Sequence, residues 1–113
     1  MENTSSKQIK EKLQIKDSFK NLKFFQHPIG NGLMSRFIFK NGYGISVVRF
    51  KLPNYPTTWG NDYGSYTDNE NQWEVAIIGK DGDFDYETGI TEDTIGYLSE
   101  EEVSEVMRKI QEL

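Results

Sequence analysis

Asp81, Asp83, Asp85 and Glu92 fall at positions one, three, five and twelve of a twelve-residue calcium loop begun at Asp81, a spacing that offers oxygen ligands to a hard cation. The sixth position, where such a loop turns on glycine, is Tyr86, no helix precedes the run, and Asp81-Gly82 fits the tip of a hairpin better. With Asp93, these acids are expected to form a solvated acidic surface and no metal site. His27 is the sole histidine, beside Pro28 in a turn, with no residue marked to orient it or to be activated by it. The absence of cysteine excludes disulfides, thiolate metal sites and thiol nucleophiles. No nucleophile elbow, phosphate-binding glycine loop or HExxH motif occurs, and Gly42-Tyr-Gly44 lacks the third glycine and following helix of a dinucleotide site. The expectation is a protein that is not an enzyme and needs no cofactor.

A different chemistry is written in PNYPTTWGNDYGSYTDNENQW, residues 53–73, which carries five aromatic rings and three acids. Its Pro, Gly, Asn and Asp content opposes regular structure, and a stretch of this length without its own elements is usually functional or disordered. Rings give large contact area at small entropic cost, and small polar residues adapt their hydrogen bonds. Tyr55, Trp59, Asp62, Tyr63, Tyr66 and Asp68 are therefore the candidate partner-binding residues. The competing expectation is that some of these rings fold back over the end of a sheet, and the two are compatible.

The elements that must hold this loop are legible on either side of it. MSRFIFK, Asn41-Gly42 and YGISVVRF read as a hairpin on a two-residue turn, because Asn-Gly tolerates the positive φ that such turns require. Pairing Lys40 with Tyr43 would set Ile38 opposite Ile45 and Arg36 opposite Val47, leaving Phe37, Phe39, Val48 and Phe50 together on the core face. WEVAIIG, Asp81-Gly82 and FDYET repeat the grammar as a second hairpin. A strand at residues 22–26 precedes the first, and a short amphipathic helix through Ile9, Leu13, Ile15, Phe19 and Leu22 precedes that. Ser99 and Glu102 form a capping box ahead of a helix whose stripe is Val103, Val106, Met107, Ile110 and Leu113. Residues 91–96 read as a single helical turn ending at Gly96. The fold class is thus α+β, an antiparallel sheet of four to five strands covered by a C-terminal helix.

At 113 residues the chain has the size of one domain, 1–113, with a frayed start at 1–6 and the long aromatic loop at 51–72. Its net charge of −5 divides unevenly: residues 1–51 hold ten Lys or Arg against three acids, and residues 52–113 hold three against fifteen. Such division means either self-pairing or two faces of opposite sign. A pI near 4.9 disfavours direct nucleic-acid binding, whereas the acidic half would suit imitation of a nucleic acid on a partner's phosphate-binding groove. A small-ligand reading also stands, with rings stacking on a nucleotide signal and Arg36 or Arg49, expected on one sheet face near aromatics, taking its phosphate. No signal-peptide core or membrane-length apolar run occurs, so a cytoplasmic location is expected.

Through NGYGISVVRF, DYGSY, QWEVAIIGKDGDFDYET and TEDTIGYLSEEEVSEVMRKIQEL, residues 41–113, the chain resembles a family of small uncharacterised proteins encoded by bacteriophages. The resemblance carries over no activity and no functional residue. It implies a class of work, the occupation of a host bacterial protein, including defence machinery such as CRISPR effectors.

Overall fold

The computed structural model describes residues 16–52, 63–91 and 93–113. Five strands pair in chain order as one antiparallel sheet: β1 (Phe25–Gln26), β2 (Asn31–Ile38), β3 (Gly44–Lys51), β4 (Trp73–Ile78) and β5 (Ile95–Leu98). Helix α1 (Glu100–Gln111) follows them, and a 3-10 turn at Phe19–Asn21 precedes them. The expected α+β class holds. Its details differ in four places.

The first hairpin forms where expected but one residue out of register. The Phe39 amide donates to the Tyr43 carbonyl and the Gly42 amide to the Phe39 carbonyl, at 2.7 and 2.9 Å. These bonds close a three-residue loop, a tight turn followed by Gly42 at φ 95°, a conformation that glycine enters without steric cost. Phe37 therefore sits opposite Ile45 and Arg36 opposite Ser46. Because side chains alternate, a shift of one residue on one strand moves its whole set to the other face. Val48 and Phe50 leave the expected core face, and Ile45 and Val47 take their places beside Phe37 and Phe39.

The second hairpin stops almost as soon as it turns. Gly82 donates to the Gly79 carbonyl and Gly79 to that of Asp83, so the tip closes as expected. FDYET then makes one isolated bridge, Phe84 with Ile78, and no strand. The second neighbour of β4 is IGYL, whose first two residues were expected to end a helical turn over 91–96, and which pairs Leu98 with Trp73 and Ile95 with Val75 around a register shift. Gly96 permits this, because a Cβ there would lie 2.6 Å from the Tyr66 carbonyl oxygen. The third difference is β1, which is two residues long where a strand over 22–26 was expected.

The fourth concerns the amino-terminal segment. Residues 1–15, with Ile9, Leu13 and Ile15, lie outside the described residues. From Lys16 onward the chain is clasped by α1. The Asp17 amide donates to Gln111 Oε1 at 2.7 Å, Gln111 Nε2 donates to the Asp17 carbonyl at 2.8 Å, and the Phe19 amide donates to Ser104 Oγ at 3.0 Å.

Helix α1 begins as its sequence predicts. Glu102 N donates to Ser99 Oγ at 3.1 Å, and Ser99 N donates to Glu102 Oε1 at 3.0 Å, so two otherwise orphaned amides are satisfied. Val103, Val106, Met107 and Ile110 are buried against the odd-numbered sheet face, where Ile45, Val47, Val75 and Ile77 are sealed. Leu113 lies beyond the helix end and is exposed, so it drops out of the expected stripe. Phe19 and Phe24 pack on Trp73 at 5.3 and 4.6 Å between ring centroids, closing one end of this core.

Candidate functional site

The even-numbered sheet face has no described helix packed on it. Across β2, β3 and β4 its side chains fall in rows set by the register: Arg36, Ser46 and Ala76 in one, Met34, Val48 and Glu74 in the next, with Phe50 beyond. Phe84 bridges Ile78 on the side of β4 away from β3, yet its ring centre is only 5.8 Å from the Arg36 guanidinium carbon. Arg36 and Phe84 therefore arch toward each other across two strands. The arch explains why Ser46 and Ala76, small residues on a face with no described helix over it, are 8% and 6% exposed. Cation–π attraction holds its two halves together.

Beyond the middle row stands a second ring pair. His27 stacks on Phe50 with centroids 3.9 Å apart and planes 22° apart. Its Nδ1 accepts the amides of Gly30 at 2.9 Å and Ile29 at 3.2 Å, which makes that nitrogen the unprotonated one. Burial pulls the His27 pKa below its ordinary value. The lone histidine is therefore a turn-forming residue, as expected.

Between arch and stack lies an open cavity of about 230 Å³, floored by Val48 and Ala76 and edged by Met34, Glu74 and Thr94. Glu74 is half-buried, and its desolvation raises the carboxyl pKa against the opposing effect of one hydrogen bond. That bond is donated by the Tyr66 amide to Oε1 at 3.0 Å.

Tyr66 ties the aromatic loop to this face. Residues 53–62 lie outside the described residues, and with them Tyr55, Trp59 and Asp62. The described remainder, 63–72, is fastened to the sheet. Tyr63 bridges Lys51, its ring 5.1 Å beneath the Lys51 ammonium, and Gly64 N donates to the Phe50 carbonyl. Ser65 Oγ accepts from Phe50 N and lies 2.9 Å from Thr67 Oγ1, so Ser65 and Thr67 are buried while Tyr66 between them points outward. Tyr63 is half-buried and Asp68 exposed, the latter's amide donating to Gln72 Oε1 at 2.8 Å. Among the described residues of the loop some groups anchor it to the sheet, and Tyr66 stays outside.

The Tyr66 carbonyl accepts the Tyr97 amide at 2.7 Å, and the two rings stand 6.5 Å apart. Tyr97 has φ 60°, an uncommon backbone state for a bulky residue, at the register shift opposite Glu74. Tyr66, Tyr97 and Phe84 are 57%, 51% and 50% exposed, and Phe25, paired with Met34 on the same face, is 50% exposed.

The other candidates do not join them. Asp81 Oδ1 accepts the Asp83 amide, Asp85 Oδ1 that of Glu87 and Asp93 Oδ1 that of Thr94, so these carboxylates close their own turns. Glu92 lies outside the described residues. Among the described residues no group of three or more His, Asp or Glu could hold a metal ion. Arg49 lies on the opposite sheet face from Arg36, 4.2 Å above the Trp73 ring and donating to the Glu70 carbonyl, so the two do not share a face as expected. Sequence reasoning missed the grouping of Glu74, Phe84 and Tyr97 with Arg36. Parity along the strands carries the signal for Arg36 and Glu74 once the turn is read as three residues, but not for Phe84 or Tyr97. No described helix is long and apolar enough to cross a membrane. The chain matches no family model, no curated protein and no solved structure.

Proposed function

We propose that this chain is a non-enzymatic interaction protein whose even-numbered sheet face, rimmed by Tyr66, Tyr97, Phe84 and Phe25, docks on another protein. The observation that supports this reading is the concentration of half-exposed rings over a floor that is already packed. Aromatic side chains held on a rigid base lose little entropy on contact, and such groups dominate binding energy at interfaces. Tyr97 adds weight. A tyrosine held at positive φ costs about 1–3 kcal/mol of strain, and strain of this kind gathers at functional positions.

The resemblance to bacteriophage proteins supplies the partner: a host bacterial protein, inhibited by occupation, with a defence component such as a CRISPR effector as the implied class. The work is done inside the host cell. The test is affinity capture of the tagged chain from bacterial lysate, with bound proteins identified by mass spectrometry. A protein retained by the parent and lost by the Tyr66→Ala/Tyr97→Ala double variant, which stays folded, supports the proposal. Equal retention by both rejects this face as the interface.

A further inference from the structure

We propose that the cavity between the Arg36–Phe84 arch and the His27–Phe50 stack is a binding site for a guanine nucleotide, with the base in the cavity and the phosphate on Arg36.

Size comes first. The cavity holds about 230 Å³, short of the roughly 300–1,000 Å³ of pockets that enclose drug-sized ligands, so it suits one ring system with the rest of the molecule outside. Val48 and Ala76 supply an apolar floor, and Phe50 and Phe84 stand at opposite ends to contact a flat ring. Glu74 sets which ring. Its carboxylate only accepts hydrogen bonds; Oε1 takes the Tyr66 amide, and Oε2 has no hydrogen-bond partner among the described residues. A carboxylate is best matched by two N–H donors side by side, which guanine presents at N1 and N2. Adenine and cytosine each present one amino group there, and uracil one ring N–H.

Arg36 supplies the remaining pole. It is exposed, its head contacts the Phe84 ring, and no carboxylate pairs with it among the described residues of a chain with excess acid. A guanidinium fork without a described carboxylate partner at the mouth of a ring-sized cavity is suited to a phosphate. The net charge of −5 opposes a polyanion and favours the mononucleotide over single-stranded nucleic acid bearing the same base. The site stands whether or not a protein docks on the surrounding face.

Calorimetric titration of the full chain at low salt tests it, with guanosine monophosphate, guanosine, adenosine monophosphate and a guanine-containing single-stranded oligonucleotide as probes. Guanosine monophosphate is expected to bind saturably and roughly tenfold or more tightly than adenosine monophosphate. Arg36→Gln should reduce its affinity to that of guanosine and leave guanosine unchanged. Glu74→Gln, which keeps the side-chain shape and an acceptor for Tyr66, should erase the preference for guanine. Ala76→Leu, which fills the floor, should abolish binding in a chain shown folded by circular dichroism; if it does not fold, the Glu74→Gln result decides. No saturable heat with guanosine monophosphate, equal affinity for adenosine monophosphate, or unaltered binding in the Arg36 and Glu74 variants overturns the proposal. Tighter binding of the oligonucleotide than of the mononucleotide also overturns it.

Discussion

The two faces of the sheet are built from the same three central strands and differ in almost everything else. On the odd-numbered face Ile45, Val47, Val75 and Ile77 meet Val103, Met107 and Ile110 with essentially no exposed surface. On the even-numbered face the central positions are small, Ser46 and Ala76, and their cover is an arginine and a phenylalanine reaching from opposite sides. The first arrangement is close-packed and apolar, and each methylene removed from it leaves a void. The second leaves a cavity, a cation with no carboxylate partner among the described residues, and several rings accessible. One face thus holds the fold together, which frees the other to present polar and aromatic groups that a core would not tolerate.

The sharpest way to break this comparison is to hollow out the packed face. Ile110→Ala should cost about 2–5 kcal/mol in urea unfolding, the range for truncating a fully buried aliphatic side chain, and any partner binding should fail only in proportion to unfolding. The reverse dissociation is expected on the open face. Tyr97→Gly removes a ring and relieves the positive-φ strain, so unfolding free energy should stay level or rise while affinity for a captured partner falls by about 1–2 kcal/mol. A loss of stability without loss of affinity would reverse the roles assigned to the faces. Ser99→Ala removes the hydroxyl that accepts the Glu102 amide and should lower stability by about 1 kcal/mol, a defect confined to the helix that covers the packed side.

The smallest expected effect is a pH slope that belongs to the open face. Burial places the His27 pKa below its ordinary 6.5. Above that value the imidazole is neutral in both folded and unfolded chains, and its contribution is complete. As the pH falls below it, the unfolded chain takes up the proton first, and stability declines until the folded pKa is passed. Protonation also removes the acceptor used by the Ile29 and Gly30 amides. Urea midpoints should therefore fall between neutral pH and about pH 5, and His27→Gln should flatten part of that slope.

How much of this was legible in the sequence depended on the range of the interaction. Ser99 with Glu102, Gly79 with Gly82, and the stripe from Val103 to Ile110 are contacts within a few residues, and pattern alone located them. The choice of partner for β4 was not local. FDYET alternates as a strand should, but β4 pairs instead with IGYL, because Gly96 lets the chain press against the Tyr66 backbone. The Asn41-Gly42 hairpin was found and its register missed by one residue, which was enough to misassign the faces of Val48 and Phe50 and to put Arg36 and Arg49 on one face. Among the described loop candidates, Tyr66 reaches the open face through its amide bond to Glu74. The cavity draws its residues from β2, β3 and β4 and from the connections that hold His27, Phe84 and Thr94, and no sequence window contains them together.

The clasp of Gln111 and Ser104 on Asp17 and Phe19 has a temporal meaning. As the chain leaves the ribosome, successive strands can zip onto their predecessors, since each pairs with its immediate neighbour in chain order. Their greasy side nevertheless stays bare until α1, made after all five, arrives and gathers in the segment that precedes β1. A nascent molecule stalled before residue 100 should therefore be sticky, and a prey for chaperones, in a way the finished one is not.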